Sequence, residues 1–208
     1  MKLKKTIFTI IKDEIIITSV IAFFVRVIGA ASAFFSTYIV ARNLGASESG
    51  YYFLAFSVIS VISAFSRAGL DNTVLRFTGS APGLAVNTVL KSLLLILTLS
   101  SFSALVLYFG APYFAVVLFS KPELAPVLKF MSFGVIGLST LTISAMALQG
   151  LRRVSLSIFV LNIAVNLLLI ISLYVFVEMS AAELAKTYAV SSFVVGAVGF
   201  GLFYVFRP

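Results

Sequence analysis

Apolar residues fall in six long blocks along the chain, separated by short interruptions that carry charge, glycine or proline. Crossing the hydrocarbon layer takes roughly 20 apolar residues at about 1.5 Å each. Blocks of that length predict membrane-spanning helices over 15–41, 51–68, 89–109, 127–148, 154–177 and 184–206. Pro82, Pro112, Pro122, Pro126 and Pro208 all fall outside these spans, where a missing backbone donor does least harm. The first block is long for a bilayer, so it either tilts or lays its start, beside Lys12, Asp13 and Glu14, along the interface. Every predicted loop is short, the longest over 69–88, which leaves no room for a soluble catalytic domain. The fold class expected is an all-α polytopic membrane protein, one bundle of six helices over 1–208.

Composition agrees with lipid as the solvent. Of 208 residues, 61% are hydrophobic and only 11% charged, more apolar surface than a soluble core of this length could hide. The net charge of +8 invites a nucleic-acid reading, but the basic residues are spread thinly between apolar runs rather than clustered on a polar face. They read as topology signals. Lys2, Lys4, Lys5, Lys12, Arg67, Arg76, Lys91, Arg152, Arg153 and Arg207 fall on one side of the spans; Arg42, Lys121, Lys129 and Lys186 fall on the other. That excess predicts cytoplasmic termini for a multi-pass membrane protein. Tyr38, Tyr51, Tyr52, Tyr108, Tyr113 and Tyr174 fall near predicted outer ends, as an aromatic belt would. Met-Lys-Leu-Lys-Lys imitates a signal peptide, yet no short apolar run with a cleavage site follows, so the segment is expected to be retained. With no cysteine and no histidine, disulfides, thiolate chemistry, most transition-metal sites and the commonest acid–base catalyst are absent. The expectation is a non-enzyme without cofactor or metal.

Arg26 is the remaining basic residue and lies inside a span, about 16 Å along it. Placing arginine there costs roughly 2.5–3.5 kcal/mol on insertion scales, so it should face a partner or a wet cavity. It could clamp helix carbonyls; as a binding group it would grip phosphate oxygens with a forked, permanently charged guanidinium. Arg67, near a span end, either anchors topology or extends such a basic surface. Arg152 and Arg153 form a tight turn that the positive-inside rule explains, with substrate contact as the alternative. Ser32, Ser36, Gln149, Asn162 and Asn166 could line a hydrophilic path or join helices by hydrogen bonds. Gly29 with Ala33, and Gly196 with Gly199 and Gly201, are packing patterns. The carboxylates Asp13, Glu14, Glu48, Asp71, Glu123, Glu178 and Glu183 all fall at span ends or in loops, so a proton or cation relay lacks its usual carrier. No phosphate-binding glycine loop ending in Lys and Ser/Thr is present, which argues against ATP hydrolysis by this chain.

At Arg26-Val-Ile-Gly29, Tyr38-Ile-Val-Ala-Arg-Asn-Leu-Gly45 and Gly50-Tyr-Tyr-Phe-Leu-Ala-Phe56, the sequence resembles the polysaccharide or O-antigen flippases of the multidrug, oligosaccharidyl-lipid and polysaccharide exporter superfamily. Further similarity lies at Ser66-Arg-Ala-Gly-Leu70 with Arg76, and at Leu148-Gln-Gly-Leu-Arg-Arg153. The resemblance implies one lobe of an exporter of twelve or more helices in a bacterial or archaeal inner membrane, which flips undecaprenyl-pyrophosphate-linked oligosaccharide through a central cationic cavity. Arg26 matches the arginine of an Arg-x-x-Gly stretch in related flippases of peptidoglycan precursors, and Arg67 lies near a basic position of their second helix. The substrate-binding set it implies is Arg26, Arg67, Gln149, Arg152, Arg153 and Asn166. The implied partners are the lipid-linked sugar pyrophosphate, membrane lipids, and polysaccharide polymerase and ligase machinery. The chain stops after one lobe at Phe206-Arg-Pro208. Either a second lobe of the same polypeptide follows, making this a fragment, or two copies assemble.

Three rival readings compete with this one. A multidrug cation antiporter of the same superfamily would share the fold, but a central arginine repels cations. A membrane glycosyltransferase or lipid phosphatase would need carboxylates or histidines at a long loop. A non-transporting assembly subunit would not need Arg26.

Overall fold

The computed structural model describes the backbone of residues 2–80, 82–176 and 179–207, and side chains over 19–80, 83–176 and 179–207. Lys2, Lys4, Lys5, Lys12, Asp13 and Glu14, used above for topology, have side chains outside that description, as does the whole of Glu178. The helices are α1 (Lys2–Ser66), α2 (Leu70–Ser80), α3 (Pro82–Tyr113), α4 (Leu124–Gly150), α5 (Val154–Ile158), α6 (Val165–Val175) and α7 (Ala181–Phe206). Two π-helical stretches, Phe114–Leu118 and Phe159–Ala164, continue α3 and join α5 to α6. No strand occurs among the described residues.

Five stretches are long and apolar enough to cross a bilayer, as a multi-pass membrane protein requires: Ser19–Ser66, Gly83–Leu118, Leu124–Gly150, Val154–Val175 and Ala181–Phe206. The first holds 48 residues, about 72 Å if straight, more than twice the hydrocarbon thickness. It is broken at Gly45, whose φ of 76° and ψ of 175° lie outside helical values in a region that glycine enters without steric cost. The leading arm (2–44) and the arm after the break (46–66) line one common cavity, through Ala33, Ser36 and Val40 on one and Tyr52, Phe53 and Phe56 on the other. The loop expected over 42–50 is therefore helix on both sides of one glycine, because nothing else there stops a helix. The loop expected over 69–88 likewise holds α2 and the first turns of α3; left-handed Ala68 and Gly69 make the turn that admits α2.

Pro112, expected outside the spans, lies inside α3. A proline there removes one backbone donor, and a π-helical stretch follows two residues later, re-pairing the carbonyls at wider spacing. Gly110 gives the Phe114 ring room, since a Cβ at that position would meet the ring at 2.7 Å.

The bundle is built around α4. Its Gly134 and Gly137 face α7, where a Cβ on Gly137 would lie 2.9 Å from the Phe193 backbone nitrogen. From α7, Gly196 packs against Leu141, and its carbonyl accepts from Ser144 Oγ at 3.0 Å. Small residues thus bring the two backbones together, the usual device where lipid supplies no hydrophobic drive between helices. α4 also meets the second arm of α1 through a Ser63–Ser139 hydrogen bond of 2.8 Å, α2 through Gly150 against Thr78, and α3 through the Phe133 and Tyr108 rings at 5.7 Å. At the Gly45 end, Glu48 accepts from the Ala181 backbone at 2.8 Å, and Ser180 with Glu183 closes a capping box at the start of α7.

Candidate functional site: a polar cleft and an exposed arginine

Between the two arms of α1 and the π-helical stretch that joins α5 to α6 lies a cavity of about 300 Å³. Its polar lining comes from Ser36 and Thr37 on the leading arm, Tyr52 on the second, Asn162 and Asn166, and Tyr188 on α7. The π-helical turns set the amides: Asn162 lies within them, and Asn166 donates its Nδ2 to the Asn162 carbonyl at 2.8 Å. A widened turn re-aims side chains that a regular helix would point elsewhere. Gly29 makes the close approach possible, since its Cβ position lies 3.0 Å from Asn162 Cβ. Thr37 is satisfied within its own helix by the Ala33 carbonyl at 2.9 Å. The Asn162 amide has no hydrogen-bond partner among the described residues, and neighbouring Ser32 keeps a buried, unpaired hydroxyl. Phe56 and Tyr188 meet edge to face at 5.3 Å in the aromatic wall. No carboxylate or cation is part of the lining.

Arg26 is not part of the lining; it lies on the same arm, seven residues or about 10 Å before Ala33, the first lining residue of that arm. Gly29, Ser36 and Val40 form the buried stripe of the leading arm. By helical geometry Arg26 is about 60° around the helix from Gly29 and about 4.5 Å nearer the N-terminus. Arg26 is exposed, has no ion pair or hydrogen bond among the described residues, and is flanked by exposed Phe23, Phe24, Val27 and Ile28. Arg26 makes no hydrogen bond to a helix carbonyl among the described residues.

The other sequence-predicted residues divide between two further places. Arg67 is pinned: Nε donates to Asp71 at 2.9 Å and Nη1 to Ser63 at 2.6 Å, with its side chain only 14% exposed. Through Ser63–Ser139 this ion pair is linked to α4, and a separate Ser66–Ser103 hydrogen bond ties the same end of the arm to α3. Arg67 is thus occupied as a joint, at the break where Ala68 and Gly69 turn the chain. Gln149 lies in the last turn of α4 and is half-buried; Arg152 and Arg153 follow in the turn after it, with the Arg153 guanidinium 4.7 Å from the centre of the Phe206 ring. Asn162 is nine residues from Arg153, about 13 Å along the same tract. The structure therefore brings Arg26 and Asn166 to one helix pair and leaves Arg67, Gln149, Arg152 and Arg153 elsewhere.

The chain matches no family model, no curated protein and no solved structure. The cleft stands on its own chemistry.

Two site residues escaped the sequence reading of their role. Tyr52 is buried at 4% exposure instead of standing in an aromatic belt, and Tyr188 is buried beside it. Their small neighbours and the i, i+4 spacing of Tyr52 and Phe56 were the available signal.

Proposed function

We propose that the chain is one lobe, with six crossings, of a flippase for polyprenyl-pyrophosphate-linked oligosaccharides, with its termini in the cytoplasm of a bacterial or archaeal cell. A second lobe or a second copy would enclose the path beside the leading arm. The observation that carries this reading is Arg26: an exposed guanidinium without a partner among the described residues, on an otherwise apolar face of the arm that also lines a cleft of amides, hydroxyls and aromatic rings. An unpaired cation at membrane depth needs an anion or water. A pyrophosphate offers paired oxygens in the geometry a guanidinium fork matches. Uncharged donors and acceptors along the cleft suit the hydroxyls of a sugar. The resemblance at Arg26-Val-Ile-Gly29 supports the same assignment. A cation substrate fits less well, since the cleft lining holds no carboxylate. Arg67 serves here as a joint, while Arg152 and Arg153 mark the cytoplasmic face.

The test is flipping of a sugar-labelled polyprenyl-pyrophosphate in proteoliposomes carrying the complete gene product, read by protection from an impermeant lectin. Arg26→Ala should slow flipping about tenfold or more, the value of a lost charge-assisted hydrogen bond, and Arg26→Lys should slow it less. Equal loss of protein level in both variants would return Arg26 to a structural role. Reading the DNA past the codon for Pro208 separates a second lobe from a second copy.

A further inference from the structure

The outward side of the α4–α7 pair carries a second depression, of about 450 Å³, lined by Phe130, Phe133, Ile136, Val190 and Phe193 with Lys186 at one end. Its origin is the close approach of the two helices. Gly137 against Ser192, and Gly196 against Leu141, draw the backbones together, so the large neighbours splay outward as walls. Phe133, Val190 and Phe193 are each more than half exposed. Lys186 is five residues into α7, about 8 Å from its start, while Val194 lies a further 12 Å along. The trough is thus most of one leaflet in length, against about 15 Å of hydrocarbon.

Its charged end is cationic and forms no ion pair among the described residues. Lys186 Nζ lies 4.4 Å from the centre of the Phe130 ring, and Lys129 Nζ lies 5.9 Å from that of Tyr108. The one ion pair among the described residues, Arg67–Asp71, is elsewhere. The nearby Glu183 carboxylate is engaged by Ser180, accepting from its backbone at 2.9 Å and its hydroxyl at 3.1 Å. Bulk water does not fill an apolar trough at this depth, and an ammonium at its rim attracts an anion.

We infer that this trough is a binding site for one acyl chain of an anionic phospholipid, whose phosphate pairs with Lys186. The site is independent of the transport reading: it faces away from the α1 cleft and shares with its lining only α4 and α7.

The chain contains no tryptophan, so a single introduced indole is a clean reporter. Phe193→Trp is reconstituted into vesicles of phosphatidylcholine and phosphatidylglycerol in which one lipid or the other is brominated, and fluorescence quenching is titrated. The expected result is a preference of about fivefold for phosphatidylglycerol, the contribution of one lysine near the surface. The preference should vanish when Lys186→Gln is added, and should be absent for Leu105→Trp on the exposed side of α3. Val190→Trp gives the same reading if Phe193→Trp folds poorly. Equal quenching by both lipids, or a preference that survives Lys186→Gln, overturns the proposal. So does no quenching at either trough position, which would mean that protein, such as a second copy, covers the trough.

Discussion

The leading arm of α1 and helix α4 are both apolar helices of membrane-spanning length, yet they sit in opposite environments. Along α4, 78% of the most apolar window is buried inside the bundle; along Ser19–Ser66 the corresponding share is 11%. α4 carries Ser132, Ser139 and Ser144 in fully buried positions and satisfies each, with Lys129, Ser63 and Gly196 respectively. The leading arm carries Arg26 midway along its apolar run and leaves it unpaired among the described residues. Composition does not separate the two helices. What does is the number of surfaces each can approach closely: α4 has glycine or serine against three neighbours, whereas the leading arm has one tight contact row, Gly29–Ser36–Val40. A helix packed on all sides is a frame, and one packed on a single stripe remains available for binding or movement.

The contrast should appear first in unfolding experiments on the protein in detergent. Leu128→Ala, at a fully buried position of α4, is expected to cost about 2–5 kcal/mol, whereas Phe24→Ala on the leading arm should cost under about 0.5 kcal/mol. A large loss at Phe24 would sharpen the comparison by revealing that this face is covered in the assembled protein. Gly137→Ala is the next largest, at about 1–3 kcal/mol, because its methyl group would meet Ser192 and the Phe193 backbone and force α4 from α7. A double-mutant cycle over Arg67→Ala and Asp71→Ala should return a coupling of about 1–2 kcal/mol, since the pair is mostly buried and shared with Ser63. Additive losses there would break the reading of Arg67 as a joint. The smallest effect on stability belongs to Arg26→Ala, within about 0.5 kcal/mol, despite its expected effect on flipping. That dissociation between folding and transport is what an exposed, unpaired arginine on a lightly packed helix predicts.

Much of the secondary structure was legible in the chain because apolar run length is a local property that lipid enforces. The predicted 127–148 and 184–206 lie within α4 and α7, and 154–177 covers the tract from α5 to α6. The ends were less legible. Helices extend past the hydrocarbon layer wherever no breaker stops them, so 42–50 and 69–88 read as loops and are mostly helix. Pro112 misled because a proline inside a helix can be accommodated by a π-helical turn, which no residue pattern announces.

Of the candidate site, the sequence by itself singled out Arg26, for the physical reason that a permanent charge in an apolar run has no cheap explanation, and it named Asn162 and Asn166 among possible lining groups. Partnership was left to the tertiary structure. Ser63 meets Ser139 across 76 positions, and Glu48 reaches Ala181 across 133. Whether Arg67 is free or held depends on such neighbours. So does the placement of Tyr52 and Tyr188, whose amphipathic rings suit a headgroup layer as well as a buried wall. Local sequence fixes where a helix can form in lipid; which of its faces is covered follows from the shapes of helices distant along the chain, and that decision made a joint of Arg67 and left Arg26 open.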